Sequence, residues 1–596
     1  MNESHGAAPA GPAAHLSSTN SRPSRTRWII REPDQEQAAS LSETLNISPV
    51  VAGLLISRGY ADPESAYNFL NPSYDQLHDP ALMLGMPEAV RRILHAIDLG
   101  EKILVYGDYD VDGTTGTVVL RRALGMLGAE TGFHVPHRFT EGYGIQQPAL
   151  ERALSEGFGL VVSVDCGIRA FDPLYWARDH GLDVIVTDHH LPDEGEGPPP
   201  AFAVLNPNQL GCNYPDKNLA GVGVAFKLAH ALFRERGRES QINGFLKMVA
   251  IGTVADVARL VGENRAIVSL GLADLPNARN PGLRALLDVA GCNDGQPRTA
   301  YDLGFRLGPR INAAGRMDAA SAVVQLFETK DQSEAKSLAE HLDSRNRERR
   351  SVQLEIEGRA LAEFEGSSEA APMSHVAVIA GDGWHRGVIG IAASKIAEKL
   401  HRPCVVISLD GDDGHGSARS IEAYHLLDGL TVCADLFEKF GGHSHAAGLS
   451  IKRENIPEFR RRLNEHAASH LSDEDMVPSV RIDAKLPANE ISLALADDLL
   501  SLEPFGAGNP RPLFMTDDLH VVTEPRVVKE KHLKFRVAGR GQPSIDTIWW
   551  GGLEALRGRT LTPGEGIELA YTIEPNTWQG ETRLQLCVRD VRTGSE

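Results

Sequence analysis

Three apolar runs of strand length in the first third of the chain each end in groups that cannot be buried without a partner. Ile103-Leu104-Val105-Tyr106 leads into Asp108-Tyr109-Asp110-Val111-Asp112-Gly113, Leu160-Val161-Val162-Ser163-Val164 into Asp165, and Val184-Ile185-Val186 into Asp188-His189-His190. Unbroken apolar runs alternating with helix-like segments predict a parallel α/β sheet. A fourth run, Phe133-His134-Val135-Pro136, and a helical pattern over residues 114–127, stopped by Gly128, complete this arrangement between residues 102 and 187. Open parallel sheets bind ligands at the carboxyl ends of their strands, so the three endings converge on one site.

Asp108, Asp110 and Asp112 alternate along a loop that turns at Gly113, which lets at least two carboxylates face one point. Crowded carboxylates repel one another, and a divalent cation relieves that repulsion. Oxygen ligands with a histidine suit Mg²⁺ or Mn²⁺. Taken alone, the loop is equally a calcium loop or a polar turn. An EF-hand does not fit, because Val119 stands where its bidentate Glu belongs and a strand precedes the loop. Two adjacent histidines after Asp188, and Asp165 at a third strand end, move the balance towards a metal centre. Its role would be phosphoryl chemistry, with two ions about 3.5–4 Å apart bridging a phosphate and activating water.

At 596 residues the chain exceeds the roughly 250–300 residues of a single core, so two or three domains are expected. A net charge of −20 argues against a general nucleic-acid coating protein, yet allows a nuclease whose positive charge lies in one groove. The six cysteines form no C-x-x-C pair, which fits a reducing compartment. Residues 1–27 read as a disordered leader without the apolar core of a signal peptide, and no run is long enough to span a bilayer. The expectation is a cytoplasmic monomer without membrane attachment.

Residues 331–365 carry Ala335, Leu338, Leu342, Val352, Ile356, Ala360 and Leu361 at helical spacing around a charged middle, Arg345 to Arg350, and predict a long connecting helix. A second α/β pattern occupies residues 366–470, with strands at His375–Ile379 and Cys404–Ser408. After the acidic stretch Ser472-Asp473-Glu474-Asp475, residues 471–596 hold short strand candidates between Gly and Pro turns, the pattern of a small oligonucleotide-binding barrel.

The pieces Asp108-Tyr109-Asp110-Val111-Asp112-Gly113, Val164-Asp165-Cys166-Gly167-Ile168, Thr187-Asp188-His189-His190 and Gly252-Thr253-Val254-Ala255-Asp256-Val257 resemble the four phosphoesterase motifs of the DHH family. The stretches from Pro136 to Gly144, Gly308 to Arg316, Gly383 to Gly390, Gly416 to Ser420, Gly441 to Gly448 and Leu502 to Pro510 resemble the family's bacterial single-strand-specific exonucleases, over nearly everything after the leader. The resemblance implies a DHH domain over residues 28–330, the connecting helix, a DHH-associated domain and an OB-like barrel.

It further implies that Asp110, Asp112, Asp165, His189 and Asp256 hold two Mn²⁺ or Mg²⁺ ions, with Asp108 and Asp188 in contact with the ions or one layer out, and that His190 touches the scissile phosphate. Asp256 rests on the resemblance alone. Arg138, Arg310, Ser417, Arg419 and Ser420 would form a pocket for a 5′ phosphate, with His443 nearby and Asn312 and Arg316 as further nucleic-acid contacts. Cys166 stands where the family has Thr, and Arg259 where it has Pro.

The implied activity is a 5′→3′ exonuclease specific for single-stranded DNA, releasing 5′ mononucleotides in DNA repair and recombination. The strand would thread between the two α/β domains, gripped by the barrel through Lys529, Lys531 and Lys534, with a RecQ-type helicase and a single-strand-binding protein as partners. The alternatives are a DHH-type phosphodiesterase acting on short oligonucleotides or cyclic dinucleotides, and a non-catalytic replication scaffold. The long helix and barrel favour a polymer substrate, and the intact acidic and histidine motifs favour catalysis.

Overall fold

The structure, a computed structural model of the chain, describes residues 26–193, 195–317, 320–366, 374–556, 558–578 and 580–593. The leader expected over residues 1–27 lies outside them except for Thr26 and Arg27. The chain divides into two compact units, the larger formed by Trp28–Gly358, Trp384–Ala392 and Arg481–Glu596.

The larger unit is built on five parallel strands: β1 (Lys102–Gly107), β2 (Thr131–His134), β3 (Phe158–Val164), β4 (Asp183–Thr187) and β5 (Ala203–Leu205). Their spatial order is β2-β1-β3-β4-β5. The chain leaves β1 for one edge and returns to the other side of it as β3, so the crevice at the carboxyl ends of β1 and β3 is a topological switch point. β2 ends two residues before the apolar run does, and Pro136 of that run has no N–H to give a ladder.

Helix α1 (Val111–Met126) follows β1 and is buried on nearly every side through its first three turns. Thr115 and Thr117 return their hydroxyls to the carbonyls of Val111 and Gly113, at 2.7 and 2.8 Å, which satisfies them without solvent. Gly116 allows the close approach: a Cβ there would lie 2.5 Å from Cγ1 of Val164 on β3. Against α1 pack α2 (Gly221–Glu235) and α3 (Leu246–Ala255), followed by α4 (Gly262–Asp274). Ala300–Asp302, Leu303–Leu307 and Gly308–Met317 run on as one helix, α5, whose middle segment is wound as a π turn. Helix α6 (Gln332–Gly366), about 50 Å long, runs from this unit into the other.

The C-terminal strands are β11 (Ala484–Lys485), β12 (Phe514–Val521), β13 (Arg526–Val528), β14 (His532–Gly539), β15 (Ile545–Trp549), β16 (Gly566–Trp578) and β17 (Glu581–Thr593). Their order is β11-β12-β16-β17-β15-β14-β13, and a further pairing of β12 with β14 closes five of them into the expected barrel. Lys529 and Lys531 are exposed on the turn between β13 and β14, and Lys534 is part-buried on β14. The N-terminal helices Gln35–Leu45, Pro49–Ser57 and Pro63–Leu70 share one core with this barrel: Leu41, Val51, Leu54, Leu55 and Phe69 pack with Phe514, Val537 and Tyr571. Among the described residues no single helix is long and apolar enough to cross a membrane.

The smaller unit holds a mixed sheet of β6 (Ala377–Asp382), β7 (Cys404–Asp410), β8 (Asp413–Arg419), β9 (Phe437–Gly442) and β10 (Ala446–Lys452), in the order β9-β10-β8-β7-β6. Only β6 and β7 are parallel.

Within the larger unit the barrel is fastened by Arg265 on α4, which is 2% exposed. Its guanidinium donates to the carbonyls of Phe69 (2.8 Å), Leu502 (3.0 Å), Pro504 (3.4 Å) and Glu503 (2.7 Å), and stacks 3.6 Å over the Phe69 ring. Burial pulls its pKa down to about 9. Carbonyls, with no carboxylate among them, fix the chain path where the barrel begins. Arg265→Ala leaves these buried acceptors without donors and is expected to cost about 3 kcal/mol, read as a lower urea midpoint.

Candidate metal centre and phosphate cleft

The crevice between β1 and β3 receives a side chain from every element that ends there. Asp110 caps α1 and accepts from the Gly113 amide at 3.0 Å. Asp112 lies in the first turn of α1, and its two oxygens accept from the amides of Gly221 (2.6 Å) and Val222 (2.8 Å) at the start of α2. Gly221 has to be glycine, since a Cβ there would meet the Asp165 carboxylate at 2.5 Å. Asp165 follows β3 in a left-handed conformation with φ 64°, and Val257, beside Asp256, has φ 61°. Such backbone in a non-glycine residue costs about 1–3 kcal/mol and clusters at functional sites.

After β4, Asp188 accepts from the amides of Ile168 (2.9 Å), His189 (2.7 Å) and His190 (3.1 Å) and from Nδ1 of His190 (2.7 Å). Asp188 is thus committed to organising the turn. Its burial favours the neutral acid, but the His190 hydrogen bond and the amides hold it below the ordinary carboxylate range. Burial works against the His190 imidazolium too, and the Asp188 hydrogen bond outweighs it and raises that pKa.

Among the described residues, three groups of possible ligands meet here, two of which share no residue while the third, Asp165, His189 and His190, overlaps both. Asp108, Asp110 and Asp165 each offer an oxygen within 4.8 Å of the others, and so do Asp112, His189 and Asp256 with an oxygen or nitrogen each. His189 Nε2 stands 3.1 Å from Asp165 Oδ1, 3.7 Å from Asp112 Oδ2 and 4.0 Å from Asp256 Oδ2. His189 Nε2, Asp165 Oδ1 and Asp108 Oδ1 are buried and make no hydrogen bond. Burial, then the charge of His190, holds His189 down at about 4, so its ring is neutral. Burial, then Asp110, pushes Asp108 up to about 8 and Asp112 up to about 7. Burial with Asp112 and Asp110 takes Asp256 to about 9, and Asp165 is raised well above the usual range by burial and its acidic neighbours. Acidic and imidazole ligand atoms that converge in a site short of positive charge, three of them buried and without a hydrogen bond, fit divalent cations.

A cleft of about 320 Å³ opens from this centre, lined by Asp108, Tyr109, Asp110, Arg138, Tyr143, Ala255, Asp256, Asn312, Gly315 and Arg316. Arg138, Asn312 and Arg316 therefore stand where an anion beside the acidic groups would be held. Arg310 does not line the cleft: its Nε faces Asp343 at 2.9 Å, and its other nitrogens donate to the carbonyls of Arg306 and Val289. In the smaller unit Ser417 and Arg419 share one face of β8, with Arg419 Nη1 3.3 Å from Ser417 Oγ. Ser420 donates its hydroxyl to the Tyr424 carbonyl. His443 donates its backbone amide to the carbonyl of Ala446, which pairs with Arg419 across β8 and β10, and burial, then His445 and Arg419, lowers its pKa.

Sequence reasoning missed Tyr143, whose hydroxyl lies 3.4 Å from the ring nitrogens of His190. The signal was present in Glu141-Gly142-Tyr143-Gly144, where an aromatic between two left-handed glycines is held out from the backbone. Cys166 is fully buried, and Arg259 is exposed and lies beside Gly508.

Family models match in three places: the DHH family N-terminal domain over residues 102–253, the DHHA1 domain over 373–469 and the RecJ OB domain over 482–590. The chain is 39% identical over 572 residues to the single-stranded-DNA-specific exonuclease RecJ of Bacillus subtilis (strain 168), covering 95% of this chain and 71% of that protein. Crystal structures of RecJ from Thermus thermophilus superpose on it. The complex with Mn²⁺ has TM-score 0.82 at 31% identity, covering 96% of this chain and 80% of that one. The complex with Mg²⁺ has TM-score 0.75 at 29% identity, covering 96% and 79%.

The raised carboxyls make protons compete with a cation. Mn²⁺ affinity measured by titration calorimetry is expected to tighten from about pH 6 to about pH 8, as Asp108 and Asp112 give up their protons, with proton release on binding. An affinity that stayed flat would contradict the ligand sets.

Proposed function

Because the chain belongs to the RecJ family, we propose that it is a single-stranded-DNA-specific 5′→3′ exonuclease that releases 5′ mononucleotides with the help of two Mn²⁺ or Mg²⁺ ions. The observation that carries this reading is the pair of separate ligand sets meeting at His189 Nε2 and Asp165 Oδ1, 3.1 Å apart and both without a hydrogen bond.

Asp108, Asp110 and Asp165 would hold one ion, and Asp112, His189 and Asp256 the other. When bound, such ions lower the pKa of water and offset charge on the phosphodiester in the transition state. The chain's own residues do the rest. His190, its imidazolium favoured by the Asp188 hydrogen bond, would donate a hydrogen bond to the scissile phosphate, and Tyr143 orients the imidazole. Arg138, Asn312 and Arg316 hold the terminal 5′ phosphate in the cleft, Arg138 being steadied 5.1 Å over the Tyr109 ring. Within the DHH-associated domain, Ser417, Arg419, Ser420 and His443 would form a separate group of phosphate contacts.

The enzyme would work in the cytoplasm in DNA repair and recombination, on strands supplied by a RecQ-type helicase and a single-strand-binding protein. Six cysteines without a disulfide support a reducing compartment.

The test is digestion of 5′-labelled single-stranded DNA, the matching duplex and dinucleotides with Mn²⁺ or Mg²⁺. Single strands alone should be degraded, and Asp110→Ala should lose more than about a hundredfold in rate, beyond the loss typical of an outer partner. Equal activity of Asp110→Ala would remove the metal assignment, and degradation of dinucleotides alone would favour a phosphodiesterase of short substrates. Arg138→Ala should lower kcat/KM about tenfold for 5′-phosphorylated strands and much less for 5′-hydroxyl strands, since a charge-assisted contact disappears with the phosphate.

A further inference from the structure

Tyr301 and Phe305 stack on each other with ring centroids 4.8 Å apart and planes 23° apart. They are 64% and 68% exposed, although aromatic rings of this size normally seek burial. Both belong to α5, with Phe305 inside its π turn, a distortion often found at functional sites. Nothing in the hydrolysis described above uses them.

Their position along α5 is specific. A Cβ at Gly304 would lie 3.3 Å from Val254 Cγ1, and one at Gly308 3.2 Å from the Ala255 Cβ. The π turn is therefore seated on the last turn of α3, which leads directly to Asp256. Farther on, α5 supplies Asn312, Gly315 and Arg316 to the cleft wall. Phe305 and Asn312 are seven positions apart, about 10 Å along a helix, which is the span of about three stacked nucleotides.

We propose that Tyr301 and Phe305 form a platform on which bases of single-stranded DNA stack just outside the cleft, on the 3′ side of the nucleotide being removed. The proposal rests on the exonuclease reading: with the 5′ phosphate held in the cleft, the remaining strand leaves in the 3′ direction. Every base presents a π face, so the platform holds any sequence. It also suits a chain of net charge −20, in which phosphate contacts alone face a repulsive background.

The test uses the full chain carrying Asp110→Ala, so that DNA is not degraded, and measures oligothymidylate binding by fluorescence anisotropy. Adding Tyr301→Ala and Phe305→Ala should weaken binding about tenfold or more with an unchanged Tm. Adding Tyr301→Phe and Phe305→Trp instead should retain the affinity. A 2-aminopurine placed a few nucleotides from the 5′ end should be quenched in the parent and bright in the double alanine variant. If the parent binds single strands and the double alanine variant binds them equally well, the platform is overturned while the exonuclease reading stands. A parent that binds no single strand overturns both.

Discussion

Mutual repulsion among buried carboxylates at the crevice between β1 and β3 is the constraint around which the larger unit is arranged. Asp108, Asp112, Asp165 and Asp256 are each forced towards the neutral acid by burial and by one another. The fold keeps them together by pinning Asp112 with two amides at the start of α2, by leaving no Cβ at Gly221, and by holding Asp165 and Val257 in left-handed backbone. The amides stabilise the Asp112 carboxylate, whereas the crowded charges and the left-handed backbone cost stability, which the broad apolar core around α1, α2 and the sheet offsets. A site so prepared binds divalent cations without having to gather its ligands first.

The parts of this site that were legible in the sequence are those fixed by local chemistry. Apolar runs ending in Asp108, Asp165 and Asp188 announce strands with a shared ligand edge, because strand direction and sheet order place those ends together. Asp256 carries no such mark. It caps α3, and only the packing of that helix against α1 delivers its carboxylate to the centre, so the family resemblance had to supply it. Arg310 is the converse: its motif suggested a phosphate contact, but Asp343 and two carbonyls from outside that motif occupy it. The Tyr301 and Phe305 pair was silent because i and i+4 aromatics ordinarily mean a buried face, and only the fold reveals that this one faces water.

Sequence periodicity identified the long helix and two of the barrel strands, Leu533–Val537 and Ile545–Trp549, since each has a local period. It had no means of showing that the helices over residues 35–70 share a core with strands beyond residue 510, a pairing set by tertiary packing alone. Arg265 reinforces that association by tying Phe69 to Leu502, Glu503 and Pro504 through carbonyls, a use of arginine that no charge pattern signals.

That shared core orders events during synthesis on the ribosome. The apolar faces of Leu41, Leu54, Leu55 and Phe69 emerge early, yet Phe514, Val537 and Tyr571, which cover them, are translated some 450 to 530 residues later. At about 5–20 residues per second the first helices wait for tens of seconds with their partners unmade. A nascent chain therefore keeps an apolar surface uncovered at its beginning until its barrel is complete, and a truncated product lacking the barrel keeps that surface exposed to water.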